Sequence, residues 1–285
     1  MSVAPASTTL AALPAGLALM AVLAYATAAL PTRPAPAEAP RGSGPLVPPR
    51  PPVWPALALV LGWAVHLVVL LLHIGGWGAA GAGARLGFAP VLSMTVWLVL
   101  AVYTVESRLV PLPTVRRVLA LVGAAAVVLA WAFPGEPRPT ASALAPLHFA
   151  LGVASYGLFG AAVLHAALLG TAERRLRLRD GSAPVGGMPL LQLERLTFRF
   201  VEAGFAVLTA TLLLGGLTAS HWVWDHKTVF SLLGWAVFAA LLVGRRVRGW
   251  RGRRATRWVY AGALLLLLAY AGSRFVLEVM LERAA

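Results

Sequence analysis

The sequence has no cysteine, which removes disulfides, thiolate metal sites and CxxC redox chemistry in any compartment. Carboxylates are scarce, with 10 Asp and Glu among 285 residues, and Lys227 is the single lysine. Polar chemistry must come from six histidines, the tryptophans and tyrosines, the arginines, or a bound cofactor. The composition of a soluble domain is missing too. Apolar residues make up 59% of the chain, against roughly 45–50% for an ordinary globular protein. They fall in blocks of about 17–25 residues, the length that crosses a hydrocarbon core of about 30 Å. The chain reads as an all-α integral membrane protein, a single polytopic domain over residues 1–285.

Eight spans are expected, at 9–30, 53–74, 88–106, 117–133, 146–171, 199–219, 228–244 and 257–277. The segment PTRPAPAEAPRGSGPLVPPRPP at 31–52 is a loop, because repeated proline cannot continue a helix. No internal repeat stands out. The first span has no basic residue before it and is as long as the others, so it reads as an uncleaved helix.

The net charge of +14 would suggest a nucleic-acid partner in a soluble protein, but its distribution says otherwise. Nineteen of the 24 basic residues lie in 31–52, 107–117, 172–199 and 245–257, all on one side of an eight-span arrangement. The positive-inside rule makes those segments cytoplasmic and puts both termini on the outer, periplasmic side. The run RRVRGWRGRR at 245–254 then anchors spans seven and eight at lipid headgroups, and no nucleic-acid partner is expected. Segment 172–199, mixing Arg with Leu and Phe, is expected to lie partly in the interface as an amphipathic helix.

This topology turns SHWVWDHK, residues 220–227, into the outer turn between spans six and seven. His221 and His226 fall at the outer surface, His148 opens span five there, and His73 ends span two there. His66 lies one heptad deeper than His73 on nearly the same helix face, ~10 Å along the axis. Only His165 sits in the other half. Taken singly, Trp222 and Trp224 suit an aromatic belt, and His221 and His226 suit a solvated loop. His66 differs, since an ionisable group inside a span marks a cavity, a partner or a cofactor.

Zinc or copper would be signalled by HxH, HxxxH or HExxH spacing, and none is present. A porphyrin suits the set better. It needs one or two imidazoles, a flat apolar and aromatic wall, and cations or N–H donors for its propionates. Trp222 and Trp224 offer indole faces, Lys227 and Arg138 offer cations, and Asp225 either orients an imidazole or caps span seven. Composition alone leaves haem, quinone and lipid all open.

HWVWDHKTVFSLLGW is similar to the tryptophan-rich segment, roughly WxWDxKExxxxxxW, of CcsA/ResC/CcmC-type haem-handling proteins of cytochrome c assembly. Trp222, Trp224, Asp225, Lys227 and Trp235 fall on matching positions. HFALGVASY resembles that family's H-x6-S-Y element, matching His148, Ser155 and Tyr156. PLLQLERLTFRF, GWRGRRATRW and AYAGSRFVLE resemble the YpjD/HemX-like inner-membrane subgroup. The resemblance covers about residues 55–280 and is most specific at 145–280. It implies a multi-pass inner-membrane protein holding haem, here of b type, at an outer site. His148 would be the external ligand to iron, with His66 a second candidate ligand and His73 behind it.

There are departures. Thr228 stands where Glu is usual, GGLTASH replaces a Trp/Gly-rich lead-in, and Val243 stands where the family has a span histidine. No histidine follows His226, so His226 or His221 would have to supply a second external ligand. The expectation is haem binding or handling tied to cytochrome c biogenesis, without catalytic turnover. Membrane lipid and other assembly proteins are the expected partners. A non-haem accessory protein acting through its arginine-rich loops, and an exporter of haem or a similar small molecule, are the rival readings.

Overall fold

A computed structural model describes residues 6–32, 52–75, 84–108, 112–138, 144–178, 189–218 and 224–280. The helices are α1 Ala6–Ala29, α2 Trp54–Ile74, α3 Phe88–Glu106, α4 Pro113–Ala132, α5 Ala145–Arg177, α6 Leu190–Thr218, α7 His226–Arg248 and α8 Gly252–Leu267. From α8 the chain continues as π-helix over Leu268–Gly272 and again over Val276–Met280. The protein is thus an all-α membrane protein. Seven helices, α2 to α8 with its continuation, are long and apolar enough to cross a bilayer. In α1 the apolar stretch with described side chains, Leu13–Ala29, is shorter.

Local chemistry sets the ends. Proline occupies the first turn of α2, α4 and α5, where its missing N–H is no loss. Helix α7 ends at Gly249, whose φ of 63° is the left-handed cap that glycine adopts without strain. Arginines fill the last turns of α5 and α7, where cations suit the helix dipole. These helices run past the apolar blocks into the arginine segments. Segment 172–199 is therefore not a separate interfacial helix over its described residues: they are the tail of α5 and the head of α6, because Arg and Leu are good helix formers.

Consecutive helices alternate in direction. At one end, Arg116 at the start of α4 donates from Nε to the Ala28 carbonyl of α1, 3.1 Å away. At that same end Arg245 of α7 stacks 3.4 Å from the Phe198 ring of α6. At the opposite end the α2–α3 and α4–α5 connections meet in a short antiparallel ladder of β1 (Ala84–Arg85) and β2 (Pro137–Arg138). The Tyr270 hydroxyl, from the π-helical segment, donates to the Leu86 carbonyl there at 2.6 Å. The ladder end is the one the sequence assigns to the outer side; the first end carries the arginines.

One core joins α1, α2, α3 and α4 around Tyr25 and Leu100. A second joins α5, α6, α7 and α8 around Phe159, Phe238 and Leu241, and α5 connects the halves by packing on α3, α6 and α8. Tyr25 is fully buried between Gly62 and Gly123, where an added Cβ would lie 2.9 Å and 3.1 Å from its ring. Its hydroxyl lies 3.1 Å from His66 Nδ1, and His66 Nε2 lies 2.8 Å from Ser93 Oγ. This chain of three side chains ties α1, α2 and α3 together inside the apolar interior, where polar groups must find partners.

His66→Ala strands both hydroxyls and opens a hole. It should cost about 2–4 kcal/mol, read as a fall in Tm of the detergent-solubilised protein.

Candidate functional site

A hollow of about 690 Å³ opens at the ladder end, between the start of α5, the end of α6 and the start of α7. That volume lies within the roughly 300–1,000 Å³ typical of cofactor pockets.

His148, on the first turn of α5, lines it. Its Nδ1 is buried and makes no well-formed hydrogen bond, with the Thr211 backbone close to the ring. The ring can lie there because α6 offers glycine opposite: a Cβ on Gly215 would sit 2.8 Å from His148 Cε1 and 3.3 Å from Nδ1. Tyr156, two turns further along α5, and Trp235 of α7 supply aromatic wall. Trp235 is fixed by a 3.0 Å hydrogen bond from Nε1 to Thr209 Oγ1. Ser155, buried beside Tyr156, returns its hydroxyl to the Gly152 carbonyl at 2.7 Å.

Asp225 and Lys227 stand at the mouth. Asp225 is the N-cap of α7, accepting from the Thr228 amide at 2.7 Å. Partial burial alone would raise its carboxyl. The Thr228 amide and hydroxyl donating to it, with Lys227 and His226 nearby, outweigh that and hold it below the usual carboxylate range. A carboxyl lowered in the folded state contributes stability at neutral pH, and that contribution fades as pH falls through the lowered value. Asp225→Ala should therefore loosen the start of α7 by about 1 kcal/mol at pH 7, with the difference from the parent vanishing in acid. Amide exchange at Thr228 across a pH series measures it.

The Lys227 ammonium lies 5.7 Å from the centroid of the Tyr270 ring, and the Arg274 guanidinium lies 5.8 Å from it. Two cations thus gather at one phenol on the cavity edge.

The structure brings together His148, Tyr156, Asp225, Lys227 and the motif residue Trp235. Trp224 lies beside Asp225, 70% exposed, and His226 is the exposed first residue of α7. His221 and Trp222 lie outside the described residues. His66 does not line the cavity, and both its ring nitrogens are engaged, so iron at either would displace Tyr25 or Ser93. His73, half-buried at the end of α2 beside Arg85, has a buried Nε2 without a partner and also lies outside the lining. Arg138 is taken into the ladder opposite Ala84. Among the described residues, no cluster of three His, Cys, Asp or Glu could hold a bare metal ion.

Residues 57–281 match the family described as cytochrome C assembly protein. The chain belongs to that family. Three relatives show how the likeness is spread. The inner membrane protein YpjD of Escherichia coli strain K12 is 34% identical over 138 residues, 47% of this chain and 52% of the relative. A 28.8 kDa protein from a nifR3-like 5' region of Azospirillum brasilense is 31% identical over 236 residues, 79% and 85% of the two chains. The cytochrome c biogenesis protein CcsA of Prochlorococcus marinus is 24% identical over 222 residues, 65% and 70% of the two chains. The match to the Escherichia coli protein spans about half of that protein's length. No solved structure matches. With seven membrane-length helices, this family member is a multi-pass protein of the bacterial inner membrane.

Three residues lining the cavity of this family member, Gly215, Thr209 and Tyr270, and Arg274 beside Tyr270, are not marked by any sequence motif. The glycine pair in LLLGGL was a signal of close approach within an apolar helix. Tyr270 reaches the site from the π-helical stretch, and Arg274 from the helical turn just after it, which no hydrophobic periodicity announces.

Proposed function

We propose that this protein handles haem in cytochrome c biogenesis, holding it in the cavity at the outer end of α5, α6 and α7. His148 is the axial ligand to iron. The observation that carries this reading is the buried Nδ1 of His148, without a well-formed hydrogen bond, in a 690 Å³ cavity lined by Phe149, Tyr156, Trp235 and Tyr270 among aliphatic side chains. The residues fit a porphyrin. Tyr156 and Trp235 give flat apolar contact, Gly215 leaves room beside the imidazole, and Lys227 with Arg274 suits two propionates at the mouth. Bound haem supplies an iron that takes one or two imidazoles. The chain's own task is to present His148, exclude water from the ring and neutralise the carboxylates. Trp224 and His226 flank Asp225 at the start of α7, and His226 or His221 is the candidate second ligand.

A chain without cysteine cannot tether haem by thioethers, so the haem is held without covalent attachment, as a b-type haem is. Eight spans with both termini periplasmic complete the reading, since they put the arginine-rich end in the cytoplasm and His148 on the outer side. Other assembly proteins are the expected recipients.

The test is haem content of the full chain, made with ample haem supply, purified in detergent and read as a Soret band and a pyridine haemochrome. A Soret band with sharp reduced α and β bands supports the proposal. Protein that carries none and takes up none on addition would favour a scaffold that acts through partners.

A further inference from the structure

A second hollow, of about 410 Å³, lies at the arginine-rich end between the tail of α5 and the head of α8, remote from His148. Arg174 and Arg177 reach it from α5, and Arg253 and Arg257 from α8. Spacings of three and four residues put each pair on one helix face, where like charges repel. Among the described residues the two ion pairs are His165 with Glu106 and Arg251 with Glu194, so none of these four arginines has a carboxylate partner. The one carboxylate on the rim, Glu173, is turned to the start of α8: a Cβ on Gly252 would sit 3.1 Å from its Oε1.

The floor is apolar and unfilled. Ala167 and Gly170 form it, and a Cβ added at Gly170 would meet nothing within 4 Å. The hydroxyls of Thr171 and Thr256 donate to their own helix carbonyls, which leaves the guanidiniums and the exposed Tyr260 phenol as the free donors. Four unneutralised forks over an apolar pocket suit a tetrahedral anion carried on a greasy body.

We propose that this groove binds the phosphate of an anionic phospholipid, seated between Arg174 and Arg177 on one side and Arg253 and Arg257 on the other. The lipid's glycerol and first acyl carbons lie over Ala167 and Gly170. The site is independent of haem. A bound lipid would lock α8 against α5, the helix that joins the two halves of the protein.

Native mass spectrometry of the detergent-purified full chain tests it with phosphatidylglycerol, phosphatidylcholine and inorganic phosphate as probes. Phosphatidylglycerol should bind in preference to phosphatidylcholine. Arg174→Gln with Arg257→Gln should weaken it on the order of tenfold or more, while Arg246→Gln with Arg248→Gln, on the exposed end of α7, should leave it within about twofold. Gly170→Leu is the second variant. It keeps every charge and fills the floor, so it should also weaken the lipid several-fold, which a diffuse basic patch would not show. If inorganic phosphate binds alone and displaces the lipid, the groove is a phosphate site served from solution. Binding that ignores Gly170→Leu and falls equally in both arginine pairs overturns the proposal.

Discussion

His148→Ala is expected to lower haem content by roughly an order of magnitude or more, because the ring brings to the cavity a buried imidazole nitrogen, Nδ1, that makes no well-formed hydrogen bond. The substitution sits on the first turn of α5, so the helix persists and its packing on α6 changes little. Tm of the haem-free protein should stay close to that of the parent. His66→Ala should do the reverse, lowering Tm while leaving haem per folded molecule unchanged. The pair of variants separates ligation from architecture, which haem content alone would not. Retention of haem in His148→Ala together with its loss in His66→Ala would move the site to the α2–α3 interior.

Gly215→Leu is the second large effect. A Cβ at this position already falls 2.8 Å from His148 Cε1, and the rest of a leucine side chain would enter the cavity. The imidazole must swing away or α6 must shift. Overpacking of this kind costs about 1–3 kcal/mol. Haem content should fall to the level of His148→Ala, although residue 148 itself is untouched. Gly215→Ala should give an intermediate loss, and both are read by the Soret band per mole of protein alongside Tm. A Gly215→Leu protein with full haem would mean that the ring is free to leave its present position and that its location carries no functional meaning.

Much of this arrangement was legible in the sequence, for a physical reason. A hydrocarbon slab imposes helix length and apolarity, so α2 and α3 begin and end within a residue of the apolar blocks at 53–74 and 88–106. The asymmetry of arginine likewise predicts which helix ends gather, and the contacts of Arg116 with Ala28 and of Arg245 with Phe198 join ends it places on one side. Hydropathy fails where helices outrun the slab. Helix α5 continues to Arg177 and α6 begins at Leu190, since charge does not stop a helix in water.

At the site, the motif residues Asp225, Lys227 and Trp235 of α7 and the H-x6-S-Y residues His148 and Tyr156 of α5 meet in one cavity from two helices. The roles of the histidines were less legible, because depth in a span does not say what a side chain touches. His66 reads from sequence as a buried ligand, but it bridges Tyr25 and Ser93. His165 falls outside the outer group and is fully buried, donating from Nδ1 to the Ala161 carbonyl at 2.8 Å. Its Nε2 is 3.1 Å from Glu106 Oε2, within ion-pairing distance but outside hydrogen-bond geometry. Glu106, near the end of α3, is partly exposed and also faces this imidazole. Such pairings depend on which helix lies next to which, and that follows from close approaches at Gly62, Gly123 and Gly215 that composition does not rank.

The most direct test of the central claim is the absorption spectrum of His148→Gly protein, dithionite-reduced, before and after addition of free imidazole. The glycine removes the ring and leaves an imidazole-sized space between α5 and α6. Weak or absent α and β bands are expected without imidazole, with recovery when it is added. A His148→Gly spectrum that matches the parent before any imidazole is added would contradict axial ligation by His148.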